Sequence, residues 1–410
     1  MKITNKKIND ICKFIGGSQP PKSDFIFEPR DGYIRLIQIR DRLNNNFATY
    51  IPVNLARKKC YKEDILIGRY GPPVFQIFRG FEGAYNVAIM KAKPLNGTDN
   101  DFLYYFLQQN QILKYVESMQ LRTAGQTGVE LDSLYEYPVR LPDLYFQKKI
   151  ARILVNLDLK ISLNNKIIAE LEAMAKTLYD YWFLQFDFPD ENGKPYRSSG
   201  GKMVYNEELK REIPEGWEVG KLGDFCDIRL GGTPDTENKL YWNGTIHWLN
   251  SGEVSCFPII NSEKTITKKG MIESSTSFAP KGSVLLSITR YIRPSILGID
   301  SCFNQSVIAV LENDVFKKSY LYPFFNNQVA RYMTLRTGAQ QPHINKDVVS
   351  KTYIIKPHED ILNKYNQEVD ACYELIISKS KEMFELNSLR DFLLPMLMNG
   401  QVTFKNIKED

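Results

Sequence analysis

Histidine is almost absent from this chain. The 410 residues contain three, at His247, His343 and His358, and none is spaced like a pair of metal ligands. The six cysteines, at 12, 60, 226, 256, 302 and 372, include no close pair. A Cys-x-x-Cys metal or redox motif is therefore excluded, and a disulfide framework does not fit the spacing. The thiols read as those of a reduced, cytoplasmic protein. No run of about 18 uncharged apolar residues occurs, which leaves no candidate for a membrane-spanning helix. The opening MKITNKKINDICKF is basic but lacks the apolar core of a secretion signal. There is no Walker pair, no glycine-rich methyl-donor loop and no Asn/Asp-Pro-Pro-aromatic motif, since Pro72-Pro73-Val74-Phe75 follows Gly71.

What is present is ordinary for a globular protein: 43% hydrophobic and 25% charged residues. The length suits two or three domains. The net charge of +5 is unevenly distributed. Residues 1–145 carry 20 Lys/Arg against 15 Asp/Glu, and residues 217–357 carry 16 against 12. The remaining segments, 146–216 and 358–410, carry 17 against 21. Two basic blocks with acidic connectors suit a polyanion held at two points.

The chain also repeats itself. GGSQPP at 16–21 recurs as GGTP at 231–234, and YIRLIQIRD at 33–41 as TIHWLNSGE at 245–253. YKEDILIGRYG (61–71) is answered by APKGSVLLSITR (279–290), and GAYNVAIM (83–90) by SCFNQSVIAV (301–310). LRTAGQTGVELDSL (121–134) is answered by LRTGAQQPHINKDVV (335–349). Five matches in one order indicate a duplicated domain, far longer than a solenoid unit. Each copy shows short β-like runs bounded by Gly, Pro and Asn: Tyr33–Ile39, Asp64–Ile67 and Tyr85–Met90, then Ile246–Leu249, Ser283–Ile288 and Ser306–Leu311. An amphipathic helix follows in each, over Asp101–Met119 and Lys318–Leu335. The glycine clusters lack the Lys-Ser/Thr of a phosphate loop and read as turns.

After each domain comes a proline, Pro142 or Pro357, and then a long periodic segment. In the first, Ile150, Leu154, Leu157, Ile161, Asn164, Ile168, Leu171, Ala175, Leu178 and Trp182 alternate spacings of four and three. That is a heptad seam. The second runs Leu362, Tyr365, Val369, Cys372, Ile376, Lys379, Met383, Leu386, and is interrupted at Arg390 before Leu393 and Leu397. The two helices are predicted to pack antiparallel, because that leaves the segment after Asp187 only a short distance to cover. Asn164 and Lys379 are equivalent in the repeat and should meet as a polar layer that fixes register.

No nucleophile–base set has support from the repeat, so a catalytic role for this chain is not expected. The stretch Pro189-Asp190-Glu191-Asn192-Gly193-Lys194 reads as a turn rather than a nuclease centre. The duplicated features are loops rich in amides, aromatics and arginine. Gln38 and Arg40 lie where Asn250 and Ser251 lie; Arg69-Tyr70 loosely answers the stretch containing Arg290 and Tyr291. Arg122 and Gln126 answer Arg336, Gln340 and Gln341. Arginine reads guanine edges and Asn/Gln read adenine edges, with Ser/Thr serving either. These thirteen positions are the candidate DNA contacts, and no cofactor or metal is expected on the chain.

Two divergent domains, each followed by a long helix, resemble the specificity subunits of type I restriction–modification systems. The reader strings GGSQPP, YIRLIQIRD, DILIGRYG and GAYNVAIM resemble a recurrent target recognition domain. LPDLYFQKKIARILVNLDLKISLNN (141–165) and the stretch beginning YDYWFLQFDFPDENGKPYRSSGG and ending at 219 resemble the conserved regions of that family. The resemblance implies an α+β fold: two mixed α/β target recognition domains separated by an antiparallel pair of long coiled-coil helices, with an internal pseudo-twofold repeat. The expected divisions are 1–145 and 217–357 for the two recognition domains and 146–186 and 358–400 for the helices, with 187–216 a linker and 401–410 a tail. It implies a non-catalytic reader of double-stranded DNA. Two methyltransferase subunits, which use S-adenosylmethionine, and ATP-driven restriction/translocase subunits would be its partners. A coiled-coil adaptor that reads no DNA is the alternative. The helix-pair seam would comprise Leu154, Leu157, Ile161, Asn164, Ile168, Leu171, Val369, Ile376, Lys379 and Leu386.

Overall fold

The computed structural model describes residues 2–402 apart from 72, 120, 124, 125, 339 and 341; for 121–123, 126 and 127 it describes the backbone alone. The chain forms two compact units. The first is Met1–Ile161 with Leu386–Asp410, and the second is Ser162–Glu385. These units cut across the serial divisions read from the sequence, because each takes one end of both long helices.

The two units share three matching sheets. In the first, Ile3–Lys7 pairs antiparallel with Pro138–Pro142. A four-stranded sheet runs in the order Cys12–Gly16, Ile89–Pro94, Ile65–Gly68, Ile77–Phe78. Another runs Tyr50–Pro52, Tyr33–Ile37, Gly83–Tyr85, Lys59–Cys60, and its middle pair is parallel. In the second unit Glu218–Lys221 pairs with Tyr353–Lys356. The four-stranded sheets run Ile228–Leu230, Val307–Val310, Val284–Ser287, Arg293–Ile296, and Lys264–Ile266, Trp242–Leu249, Ser301–Phe303, Ser277–Ala279. The middle pair of the latter is again parallel. Central strands such as ILIG and VLLS are buried along their whole length, as aliphatic strands covered on both faces must be.

Two of the expected elements divide. The run Tyr85–Met90 is not one strand: the Asn86 side chain accepts the Ala88 N–H (3.1 Å) and turns the chain between Gly83–Tyr85 and Ile89–Pro94. The helix expected over Asp101–Met119 breaks into Asn100–Leu107 and Asn110–Ser118, because Gln109 is extended (φ −62°, ψ 135°). Its counterpart Lys318–Thr334 stays continuous through Pro323. A proline frees the carbonyl four residues back, and here Ser319 O accepts the Tyr365 hydroxyl instead (3.1 Å).

The long helices are Leu144–Tyr179 and Glu359–Met398. Their pairing is antiparallel: in the first unit Arg390 donates to Asp158 (3.2 Å), and in the second Asn164 donates to Glu382 (3.1 Å) and Tyr179 meets Tyr365. Leu154, Asn164, Val369 and Ile376 are buried; Leu157, Ile161, Ile168, Leu171, Lys379 and Leu386 are half-buried. Asn164 and Lys379 do not bond each other. Both reach the Glu382 carboxylate, at 3.1 and 2.8 Å, so the polar layer has three members. Arg390, which breaks the seam in sequence, is held by Asp158, and Asp158 also accepts the Tyr105 hydroxyl (2.6 Å).

Burial pushes the Cys12 and Cys226 thiols up to about 12 and those of Cys60 and Cys302 up to about 11; it also raises Cys372. Cys256 alone is exposed. The thiolate is the reactive species, so an aromatic disulfide reagent at pH 8 is expected to titrate one thiol of the native chain rapidly. The other five should appear on denaturation. Two or more fast thiols in the native protein would contradict this packing.

Candidate nucleic-acid interface

In each unit the parallel strand pair ends in a cluster of loops. At the end of Tyr33–Ile37 the chain turns at Gln38, whose N–H donates to the Asp41 carboxylate (3.0 Å). At the end of Trp242–Leu249 the Asn250 N–H donates in the same way to Glu253 (2.8 Å). Gln38 and Asn250 are therefore true counterparts, and Glu253 answers Asp41. Beside them the parallel partners end in Asn86 and Asn304, whose N–H groups donate to Ile37 O and Leu249 O.

The glycine loops close against this end. A Cβ at Gly17 would lie 2.0 Å from the Asn86 carbonyl oxygen, and one at Gly231 would lie 2.3 Å from that of Asn304. Only glycine fits. The matching bonds Gly17 N–H to Ile89 O and Gly231 N–H to Val307 O make Gly17 the counterpart of Gly231. The motifs thus align one residue away from the simple superposition of GG on GG.

In the first unit the loops bring cations and aromatic rings together. The Arg40 guanidinium lies over Phe47 (5.4 Å to the centroid) and is exposed, as is the ring. Gln38 donates to Thr49 Oγ1 (3.0 Å) and Arg40 approaches the same oxygen (3.4 Å). Arg69 is half-buried, stacks on Tyr70 (5.3 Å) and points past Gly16. Its Nε is buried with no hydrogen-bond partner. Tyr70 lies opposite Gly128 on a ribbon formed with the hairpin Leu121–Thr123 and Gln126–Gly128. Arg122 and Gln126 lie on that hairpin, and only their backbone is described.

The second unit differs in detail. Asn250 Oδ1 accepts from the Gly252 N–H (2.7 Å), so its carbonyl serves its own turn. Ser251 is half-buried at the apex. The bonds Arg69 N–H to Ala88 O and Ile288 N–H to Ser306 O make Ile288 the counterpart of Arg69. Arg290 and Tyr291 therefore sit beyond it, on a tighter turn where Arg290 has φ +59°. Arg290 and Tyr291 are both exposed, and Arg293 lies over the Tyr291 ring (5.5 Å). The Arg336 guanidinium donates to Met333 O (3.0 Å) and to Arg290 O. It ties the two loops together and holds Arg290 outward. Gln340 is exposed; Gln341 lies outside the described residues. His343 bridges Thr289 and Thr337, and so answers Gly128.

Sequence reasoning passed over Phe47, Arg35 and Arg293. Arg35 donates to Asn45 Oδ1 (2.8 Å) and stands 3.7 Å from Asp41, bracing the first loop. Phe47 lies in a polar stretch, RLNNNFATY, where an isolated exposed aromatic was the available signal. Among the described residues no cluster of three or more His, Cys, Asp or Glu could hold a metal ion, and no helix is long and apolar enough to cross a membrane.

The profile of the Type I restriction modification DNA specificity domain matches this chain twice, over residues 2–173 and 214–373. The MjaIX type I restriction enzyme specificity subunit of Methanocaldococcus jannaschii is 27% identical across 98% of this chain and 94% of its own length. The HindI specificity subunit of Haemophilus influenzae is 23% identical across 74% of this chain and 77% of its own length. Among solved structures, the S subunit of the type I restriction–modification system of M. genitalium shares the fold, with a TM-score of 0.64 at 14% identity over 97% of this chain and 96% of its own length.

Proposed function

The chain belongs to the type I restriction–modification DNA specificity family, and from that premise we propose that it gives such a complex its DNA sequence specificity. Each recognition domain reads one half of a bipartite site. The observation that carries this is the pair of equivalent loop clusters, built on the same parallel strand ends yet bearing different side chains. Arg40, Arg69 and Tyr70 face one half-site, and Arg290, Tyr291 and Gln340 the other. Gln38, Asn250 and Arg336 position loops, and Arg122, Gln126, Ser251 and Gln341 complete the set of contacts. Different readers at equivalent positions make the two half-sites different, so the site is not a palindrome. The helix pair sets the unread bases between them. Methylation and DNA cleavage belong to partner chains, with S-adenosylmethionine and ATP bound there. The methyltransferase takes its target base out of the stack, so the reader needs no base pocket. The reading places the protein in the cytoplasm with the DNA.

The test is methylation mapping of a host genome with the chain co-expressed with its methyltransferase. A bipartite, asymmetric methyladenine motif that vanishes without this chain is the expected result. Arg69→Ala should relax one half only, by the about 1–3 kcal/mol of a bidentate contact to a base. A stable complex that imposes no motif would establish the adaptor reading instead.

A further inference from the structure

Two further positions belong to the loop clusters. Past the parallel strand ends the chain turns over 86–89 in the first unit and 304–307 in the second. In each turn the asparagine carbonyl accepts the N–H three residues on, from Ile89 (3.0 Å) or Val307 (3.1 Å). The asparagine side chain accepts the N–H two residues on, from Ala88 (3.1 Å) or Ser306 (3.0 Å). Bonded twice, the turn fixes the residue after the asparagine at its apex. That residue is Val87 in one unit and Gln305 in the other, and both are exposed. The apex lies between reader loops. The asparagine before it is bonded to Ile37 or Leu249, just ahead of Gln38 or Asn250, and the residue after it is bonded to Arg69 or its counterpart Ile288. Core packing therefore accounts for neither side chain.

The glycine loops supply the neighbour of each apex. With Gly17 on Gly231, Pro20 falls on Pro234 and Gln19 on Thr233. The Thr233 hydroxyl donates to Gln305 Oε1 (2.6 Å). With its acceptor so engaged, the Gln305 amide offers its N–H donors outward. Valine can enter no such bond. Val87 presents methyl groups alone, and the exposed amide of the first unit is on the other loop, at Gln19. One backbone position thus carries an apolar reader in one domain and a donor in the other.

We propose that this apex residue is a specificity determinant in each domain: Val87 reads a thymine through its C5-methyl group, and Gln305 reads a guanine through O6 and N7. The proposal rests on the specificity-subunit reading. Apolar side chains distinguish thymine by its methyl group. Guanine alone offers two acceptors on its major-groove edge, and one nitrogen can serve both, as that of lysine does. Adenine, the usual partner of glutamine, needs an acceptor as well as a donor, and Thr233 engages that acceptor. Thr233 is thus a positioning residue that acts through Gln305.

The experiment uses the full chain co-expressed with its methyltransferase subunit, and maps the methylated motif. Val87→Gln and Gln305→Val are each expected to change one base pair of the motif, in different half-sites. Thr233→Val should admit adenine where the wild type requires guanine. The wild-type complex is also assayed on synthetic duplexes, which needs no variant to fold. Uracil in place of the thymine facing Val87 should slow methylation about fourfold, the worth of one buried methyl. 7-Deazaguanine in place of the guanine facing Gln305 should slow it about tenfold. Val87→Ala and Gln305→Ala should each abolish the matching penalty. An unchanged motif in Val87→Gln and Gln305→Val, or wild-type rates on every uracil and 7-deazaguanine duplex, would overturn the assignment and leave the specificity-subunit reading standing; contact with phosphate alone gives that pattern. A wild-type chain that imposes no bipartite motif would overturn both.

Discussion

Gly17→Ala is expected to destabilise the first recognition domain by about 3 kcal/mol or more, at the upper end of overpacking costs. The added methyl would sit 2.0 Å from a backbone carbonyl oxygen, and a carbonyl at the end of a paired strand cannot rotate away as a side-chain tip could. Gly231→Ala should do the same to the second domain, where the nearest backbone oxygens would be 2.3 Å away. The two variants separate cleanly by hydrogen exchange. Gly17→Ala should deprotect the amides of the sheet containing Ile89–Pro94 and leave Val307–Val310 as in the wild type, and Gly231→Ala should show the reverse. Function should split in the same way, each variant losing discrimination at one half-site. Wild-type protection of both sheets in both variants would mean that the glycine loops yield, and that their close approach is not what shapes the reader.

The second large effect concerns the polar layer between the long helices. Glu382→Leu is expected to cost about 2–3 kcal/mol, somewhat below the value for breaking a fully buried pair, because Lys379 is partly solvated. It strands the Asn164 amide, which is completely buried and whose Oδ1 already lacks a partner. Replacing Asn164 and Lys379 by leucine while keeping Glu382 should also destabilise, because the carboxylate then loses both cationic and amide partners. Replacing all three by leucine should be neutral or stabilising. Urea titration of the three variants checks the order. A Glu382→Leu variant as stable as the wild type would show that the layer carries no energy.

Much of this architecture was legible because it follows from period and repetition. The heptad seam needs only aliphatic spacing, and every seam position from Ile150 to Trp182 is buried or half-buried. The antiparallel pairing followed from the length of chain between the helices. Legibility fell where one residue mattered. Two adjacent glycines look alike in a sequence, yet it is Gly17 and Gly231 that meet the equivalent carbonyls of Asn86 and Asn304, so the loop register came out one residue adrift. Glu382 was invisible because it lies off the seam, beside Lys379 and Met383, and reaches the interface only through its length. Arg390 looked like an interruption because its cross-helix partner, Asp158, is distant in the chain. Asn250 and Arg336 are candidate contacts because asparagine and arginine have the chemistry; the bonds Asn250 makes to its own turn and Arg336 makes to Met333 O and Arg290 O could be seen only in the folded loops.

The division of both long helices between the units has a consequence in time. The buried cluster of the first unit includes Leu397 and Met398 packed with Ile150 and Leu154. Those two residues are synthesised only after the whole of the second unit, Ser162–Glu385. At about 5–20 residues per second, the first recognition domain waits tens of seconds on the ribosome with part of its apolar face uncovered. The domain made first is therefore the one finished last, and the nascent chain is most exposed to aggregation or proteolysis while its second reader is being made. A chain ending at residue 385 should hold a second unit that resists protease beside a first unit that is still cleaved at its helix.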